Sequence, residues 1–181
     1  MQGSDDQINH LSANQDVHAD PSTISLLTAR LSAKDGLERE SARRSLVAIG
    51  NPAVAPLIEL LEARNKQVRW EAAKALADIA DPEAADALVK ALEDKVFDVR
   101  WLAAEGLINL GREGLIPLLQ ALIERSDSPW LRVGAHHVLH DLAVGELEKL
   151  LQPVIDSLED VEPVIETPLA ARAALDRLVS G

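Results

Sequence analysis

The residues best suited to chemistry lie in the run Ala135-His136-His137-Val138-Leu139-His140-Asp141. On a helix, His136 and His140 share one face, as do His137 and Asp141, and an i, i+4 histidine pair is half of a zinc or iron site. Spacing supplies no third or fourth ligand, so no metal is assigned to it. Other catalytic signatures are missing from the chain: it has no GxSxG elbow, no HExxH, no GKS or GKT phosphate loop and no GxGxxG. Its cysteine count is 0, which removes disulfides, thiolate ligands and cysteine nucleophiles together. No catalytic residue and no cofactor follow from the sequence.

What must position such residues is a repeat. The segment Val68-Arg69-Trp70-Glu71-Ala72-Ala73-Lys74-Ala75-Leu76 returns 31 residues later as Val99-Arg100-Trp101-Leu102-Ala103-Ala104-Glu105-Gly106-Leu107. A period of that length marks supersecondary units that cannot bury their apolar faces alone and stack into a continuous core. With 47 % apolar but only 2 % aromatic residues, that core must be built from Leu, Ala, Val and Ile, which favours closely packed helices.

The boundaries carry a recurring device, a polar residue followed by proline: Asp20-Pro21, Asn51-Pro52, Asp81-Pro82, Ser128-Pro129 and Thr167-Pro168. Each offers a side-chain acceptor at an N-cap and a proline where the missing N–H costs nothing. The spacing predicts A-type helices over Glu38–Ile49, Val68–Ile79, Val99–Leu110 and Leu131–Leu142, with a last copy at Thr167–Leu178. It predicts B-type helices at Pro56, Ala87, Pro117 and Pro153, with an extra turn before Pro153. Half-units close both ends, a lone B helix at Ile24–Leu31 and a lone A helix at Thr167–Val179. Gly111 serves as a turn glycine after Leu110. Residues 1–19 are polar, lack a helical apolar period and read as a disordered tail, leaving residues 20–181 as one repeat domain.

The pattern VRWEAAKALADIADPEAADALVKALED resembles the HEAT-like repeat of the class first associated with phycobilisome lyases. The resemblance implies an all-α fold, a right-handed α-solenoid of stacked antiparallel helix pairs, with A helices outside and B helices lining the inner surface. That class includes chromophore lyases, a di-iron hydroxylase and scaffolds without catalysis. The hydroxylase branch uses His-Glu dipeptides, and this chain has none, so that activity passes to no residue here.

Arg69, Arg100 and Arg132 are equivalent, with Arg39 in the first unit. They predict a ladder in which each guanidinium ties to a carboxylate or carbonyl in a turn of a neighbouring repeat. Trp70 and Trp101 match one another and are expected to pack across the seam between successive A helices. His136 and His140 replace Ala73 and Ala77 and are expected to be partly exposed. Arg30, Lys34, Arg39, Arg43 and Arg44 form a local basic cluster without interleaved aromatics, which reads as a solvated helix face rather than a phosphate site.

Function is expected to reside on the B-helix surface, where Glu59, Glu62, Lys90, Glu93, Gln120, Asp156 and Glu159 align as a mostly acidic strip. The expectation is a noncatalytic scaffold for protein–protein interaction, its partner a protein or peptide with basic and apolar groups. The alternative is a lyase-like or metal-assisted enzyme that needs a partner subunit. A net charge of −12 disfavours nucleic acid, no apolar run is long enough for a membrane span, and the start MQGSDDQINH carries no signal-peptide pattern. These features place the expected site of action in the cytoplasm.

Overall fold

Three of the four A helices begin where a polar side chain takes up one of the free N–H groups of the first turn. The computed structural model describes residues 20–180; the expected tail at 1–19 lies outside them. In chain order the α-helices are α1 (Pro21–Arg30), α2 (Gly36–Ile49), α3 (Val54–Leu60), α4 (Lys66–Ile79) and α5 (Ala85–Ala91), then α6 (Phe97–Leu110), α7 (Arg112–Glu124), α8 (Pro129–Leu142), α9 (Glu146–Glu159) and α10 (Pro163–Ser180). Short 3₁₀ turns at Asn51–Ala53 and Pro82–Ala84 lead into α3 and α5. The side chains of Asp35, Asn65 and Asp81 accept the N–H groups of Leu37, Gln67 and Glu83 at 2.9, 2.9 and 3.0 Å. Ser128 accepts from Leu131 N–H at 3.3 Å. The four A helices end at the residues the repeat predicts and start two residues earlier.

The A layer is α2, α4, α6 and α8, each packed on the next; the B layer starts with α1, α3, α5 and α7. Contact between layers is close because buried positions alternate leucine with alanine. In α4, Ala72, Ala73, Ala75 and Ala77 are buried beside Leu76, and in α6 Ala103 and Ala104 are buried beside Leu107. One buried cluster runs without a break from Ile24 to Leu178. Truncating a leucine in such a core to alanine costs about 2–5 kcal/mol, because the surroundings collapse only partly into the void. None of the four aromatic residues is fully buried, so the core is aliphatic, as the composition predicts.

The α6–α7 corner shows where glycine is required. Gly111 adopts φ +58°, in the left-handed region, and reverses the chain in one residue. A Cβ on Gly114 would stand 2.8 Å from the Leu107 carbonyl oxygen, so only glycine lets α7 approach the end of α6 this closely.

The last helix departs from the repeat. Thr167-Pro168 was expected to open a lone A helix, but α10 begins at Pro163 and holds both residues in its interior, with Thr167 fully buried. Nor does α10 join the A layer: its main neighbours are α7 and α9. Arg112, at the start of α7, donates to the Leu178 carbonyl at 2.8 Å, and Ser126, just past its end, donates to the Val164 carbonyl at 3.0 Å. The two helices therefore run antiparallel, and α10 occupies the place beside α7 where the repeat would put α9. Pro168 explains one of these bonds. It lacks the N–H that would have gone to Val164, and the Ser126 hydroxyl satisfies the freed carbonyl instead.

Candidate functional site

The predicted arginine ladder exists and fixes the turns between B and A helices. Arg39, Arg69, Arg100 and Arg132 each reach back six residues to a carbonyl of the preceding turn: Ala33 at 2.8 Å, Ala63 at 2.8 Å, Asp94 at 2.7 Å and Ser126. Two rungs also cross to the next repeat. Arg69 grips Asp94 with two nitrogens, at 2.6 and 3.0 Å, while Arg39 and Arg43 both bind Glu71, which also accepts from Gln67. Helical position alone puts Glu71 on the solvated outer face; it is instead 3 % exposed.

The Arg69 rung holds its carboxylate ionised. Burial alone would raise the Asp94 carboxyl, but hydrogen bonds from Arg69 and from Val96 N–H, with the charges of Arg69 and Arg100, outweigh it and leave it below the usual range. The hydrogen bond to Asp94 raises the Arg69 guanidinium in turn, against its own partial burial. Asp81 is lowered first by the Asn51 amide, which bonds to it across one repeat at 2.8 Å, then by Glu83 N–H.

The candidate partner-binding residues do not form one acidic strip. Glu59 lies on a shallow groove between α1 and α3, with Ile24, Thr28, Pro56 and Leu60. Glu62, Lys90 and Glu93 line a larger groove of about 740 Å³ at the C-terminal ends of α3 and α5. Gln120 is exposed on α7. Asp156 and Glu159 belong to α9, which α10 separates from α7. Asp156 accepts from Gln152 at 2.7 Å, and Glu159 meets His136 of α8 at 2.7 Å.

The larger groove also corrects the charge. Glu62 pairs with Lys90 at 2.6 Å, Glu93 pairs with Arg125, and Arg64, Arg69 and Lys95 join the lining. The expectation of a partner with basic groups rested on the net charge of −12 and on the carboxylates of the strip, and two of these, Glu62 and Glu93, are already paired. Sequence reasoning missed Arg64, Lys95 and Arg125. The signal for the first two was present, since Lys95 follows Arg64 by the same 31 residues that relate Val99 to Val68.

On the A layer, His136 and His140 do stack, with ring centroids 6.2 Å apart, and His136 also meets Glu159. Among the described residues no group of three or more His, Cys, Asp or Glu side chains is arranged to hold a metal. His137 stacks instead on Trp101 of the preceding A helix at 4.6 Å and bonds to Glu105 at 3.3 Å. Trp70 lies under Arg43 of its preceding A helix at 5.4 Å. Both tryptophans thus bridge the seam between A helices, as expected, although Trp101 leaves 47 % of its surface in water.

Residues 24–107 match the family model for HEAT repeats. No curated protein sequence matches the chain. Among solved structures, the complex of CpcE and CpcF of phycocyanin lyase from Nostoc sp. PCC7120 contains a similar chain, 26 % identical with a TM-score of 0.58 over 86 % of this chain and 99 % of that one. An engineered protein is 25 % identical with a TM-score of 0.47, covering 87 % of this chain and 80 % of that one. A designed armadillo repeat protein in complex with a (KR)4 peptide is 23 % identical with a TM-score of 0.45, covering 87 % and 88 %. No helix among the described residues is long and apolar enough to cross a membrane. Residues 24–107 thus carry HEAT repeats, and with its all-helical stack and arginine ladder the chain as a whole resembles HEAT-like repeat proteins of the phycobilisome-lyase type.

Proposed function

We propose that this protein is a noncatalytic interaction module, one repeat domain over residues 20–181, whose B-helix face docks a partner protein or peptide in the cytoplasm. The observation that carries this reading is the groove at the ends of α3 and α5. Its lining comes from successive repeats, Leu61 to Arg69, Ala87 to Lys95, and Arg125, as expected of a surface that reads an elongated partner. The similar chain found in a two-protein lyase complex supports a protein as the partner. The absence of cysteine suits a reducing compartment.

A photo-crosslinking amino acid placed at Lys90 or Gln120 should trap a discrete partner in cells, identified by mass spectrometry, whereas the same group at Asp78 or Asn109 on the A helices should not. Crosslinks from the A positions alone would reverse the assignment of faces.

A second reading is a lyase-like subunit acting with a partner chain, and the same relative favours it, since that complex belongs to a phycocyanin lyase. An absorbance spectrum and elemental analysis of the purified protein separate the two readings. A bound tetrapyrrole or metal ion moves the assignment to the enzyme.

A further inference from the structure

We infer that the docking groove takes an acidic segment, bound extended across the repeats by a row of cations that the fold leaves uncompensated. The inference rests on the B-face reading above and adds to it the chemistry of the partner.

The groove of about 740 Å³ is lined by Arg64, Arg69, Lys90, Lys95 and Arg125 against only Glu62, Glu93 and Asp94. All three carboxylates are consumed: Glu62 by Lys90, Glu93 by Arg125 and Asp94 by Arg69. Arg64 and Lys95 are exposed and have no ion-pair partner among the described residues. A chain of net charge −12 therefore keeps a local excess of positive charge inside a concavity, where low-dielectric walls focus the field on an approaching anion.

The row is built by the repeat. Arg64 and Lys95 each stand five residues ahead of a ladder arginine, Arg69 and Arg100, and Lys34 stands in the same relation to Arg39. Lys34 is likewise exposed and without an ion-pair partner among the described residues. In each turn the ladder arginine holds a carbonyl next to the free cation, at Ala33, Ala63 and Asp94, so the backbone that presents the row is fixed rather than loose. At the next turn the equivalent position is Asp127, and the row ends there.

Packed helices stand about 8–10 Å apart, so successive cations follow that pitch. An extended peptide rises about 3.3 Å per residue, and carboxylates three residues apart are then about 10 Å apart. The complementary partner is a Glu-x-x-Glu-x-x-Glu segment in extended form. Single exposed ion pairs contribute only about 0.2–1 kcal/mol, so binding depends on several acting together and weakens with salt.

Fluorescence anisotropy of the full chain with a labelled (Glu-Gly-Gly)3 peptide tests this, with (Lys-Gly-Gly)3 and an oligothymidylate of matched length as the other probes. The acidic peptide should bind, more weakly as salt rises, and the lysine peptide should not. The double reversal Arg64→Glu with Lys95→Glu should weaken the acidic peptide about tenfold. Reversal of Arg172 and Arg177, exposed on α10, should leave it unchanged, with circular dichroism confirming that both variants stay folded. Capture of the lysine peptide alone, preference for the oligothymidylate, or equal effects of the two reversals would each overturn the inference. If the acidic peptide fails while Lys90 still crosslinks a partner in cells, the charge assignment falls and the docking face stands.

Discussion

Two regions of this array solve the same joining problem with different chemistry. From α1 to α6 successive repeats are clamped by charge: Arg39 and Arg43 on Glu71, Arg69 on Asp94, and the Asn51 amide on Asp81. The joints that α10 makes are instead hydrogen bonds to backbone or between hydroxyls: Arg112 to Leu178, Ser126 to Val164, and Ser157 with Thr167. The arginines of the first set recur with the sequence period, each on a carbonyl six residues back, whereas their carboxylate partners do not recur: Glu71 and Asp94 correspond to Leu102 and Ala63. The second set has no periodic counterpart, because α10 doubles back between α7 and α9 and covers part of the apolar face there.

The largest effect that tests this contrast is cavity formation. Leu107→Ala, in the middle of the regular stack at 0 % exposure, should cost about 2–5 kcal/mol in urea melts. A lone half-repeat at the C-terminus would make Leu178→Ala far milder. Leu178 is 5 % exposed and belongs to the same buried cluster, so its truncation should cost a comparable amount. A loss under about 1 kcal/mol at Leu178 would mean that α10 frays and closes nothing.

The same helix shows what could be read from the residues and what could not. The four A helices, the capping roles of Asp81 and Ser128, the turn at Gly111 and the arginine ladder follow from local rules and from a period, and each is present. Thr167-Pro168 carries the same local signal as Ser128-Pro129, yet its hydroxyl serves Ser157 in a buried contact while Pro163 begins the helix. Nothing local separates the two cases, because the deciding partner lies ten residues away on another helix. The charge pairing at the candidate site was hidden for a related reason. A period says which charges line up, but the pairing of Glu62 with Lys90 and of Glu93 with Arg125 depends on side chains meeting across repeats.

A smaller effect isolates the joint at Pro168. Ser126→Ala removes the hydroxyl that satisfies the Val164 carbonyl, and a carbonyl left without a partner costs about 1–3 kcal/mol. Adding Pro168→Ala restores an N–H four residues beyond Val164, so the double variant should recover most of that loss in thermal or urea melts. Simple additivity of the two changes would show that the serine and the proline are not coupled through that carbonyl.

The smallest effect is a difference in pH response between the two regions. Asp94 and Asp81 are both held below the ordinary aspartate value, so each binds protons more weakly folded than unfolded. Their contribution is complete above the unfolded value of about 3.9 and declines as pH falls below it toward the folded values, with the unfolded chain taking up the protons. The three joints that α10 makes contain no carboxylate. Acidification through that window should therefore loosen α4 to α6 before the closure by α10 gives way, visible as earlier loss of amide-exchange protection in the regular repeats. Asp94→Asn, which keeps a cap acceptor but not the charge, should flatten the acid limb while lowering stability at neutral pH. If exchange rises first in α7 to α10, acid acts on other carboxylates and the ionic joints are not what distinguishes the regular stack from its end.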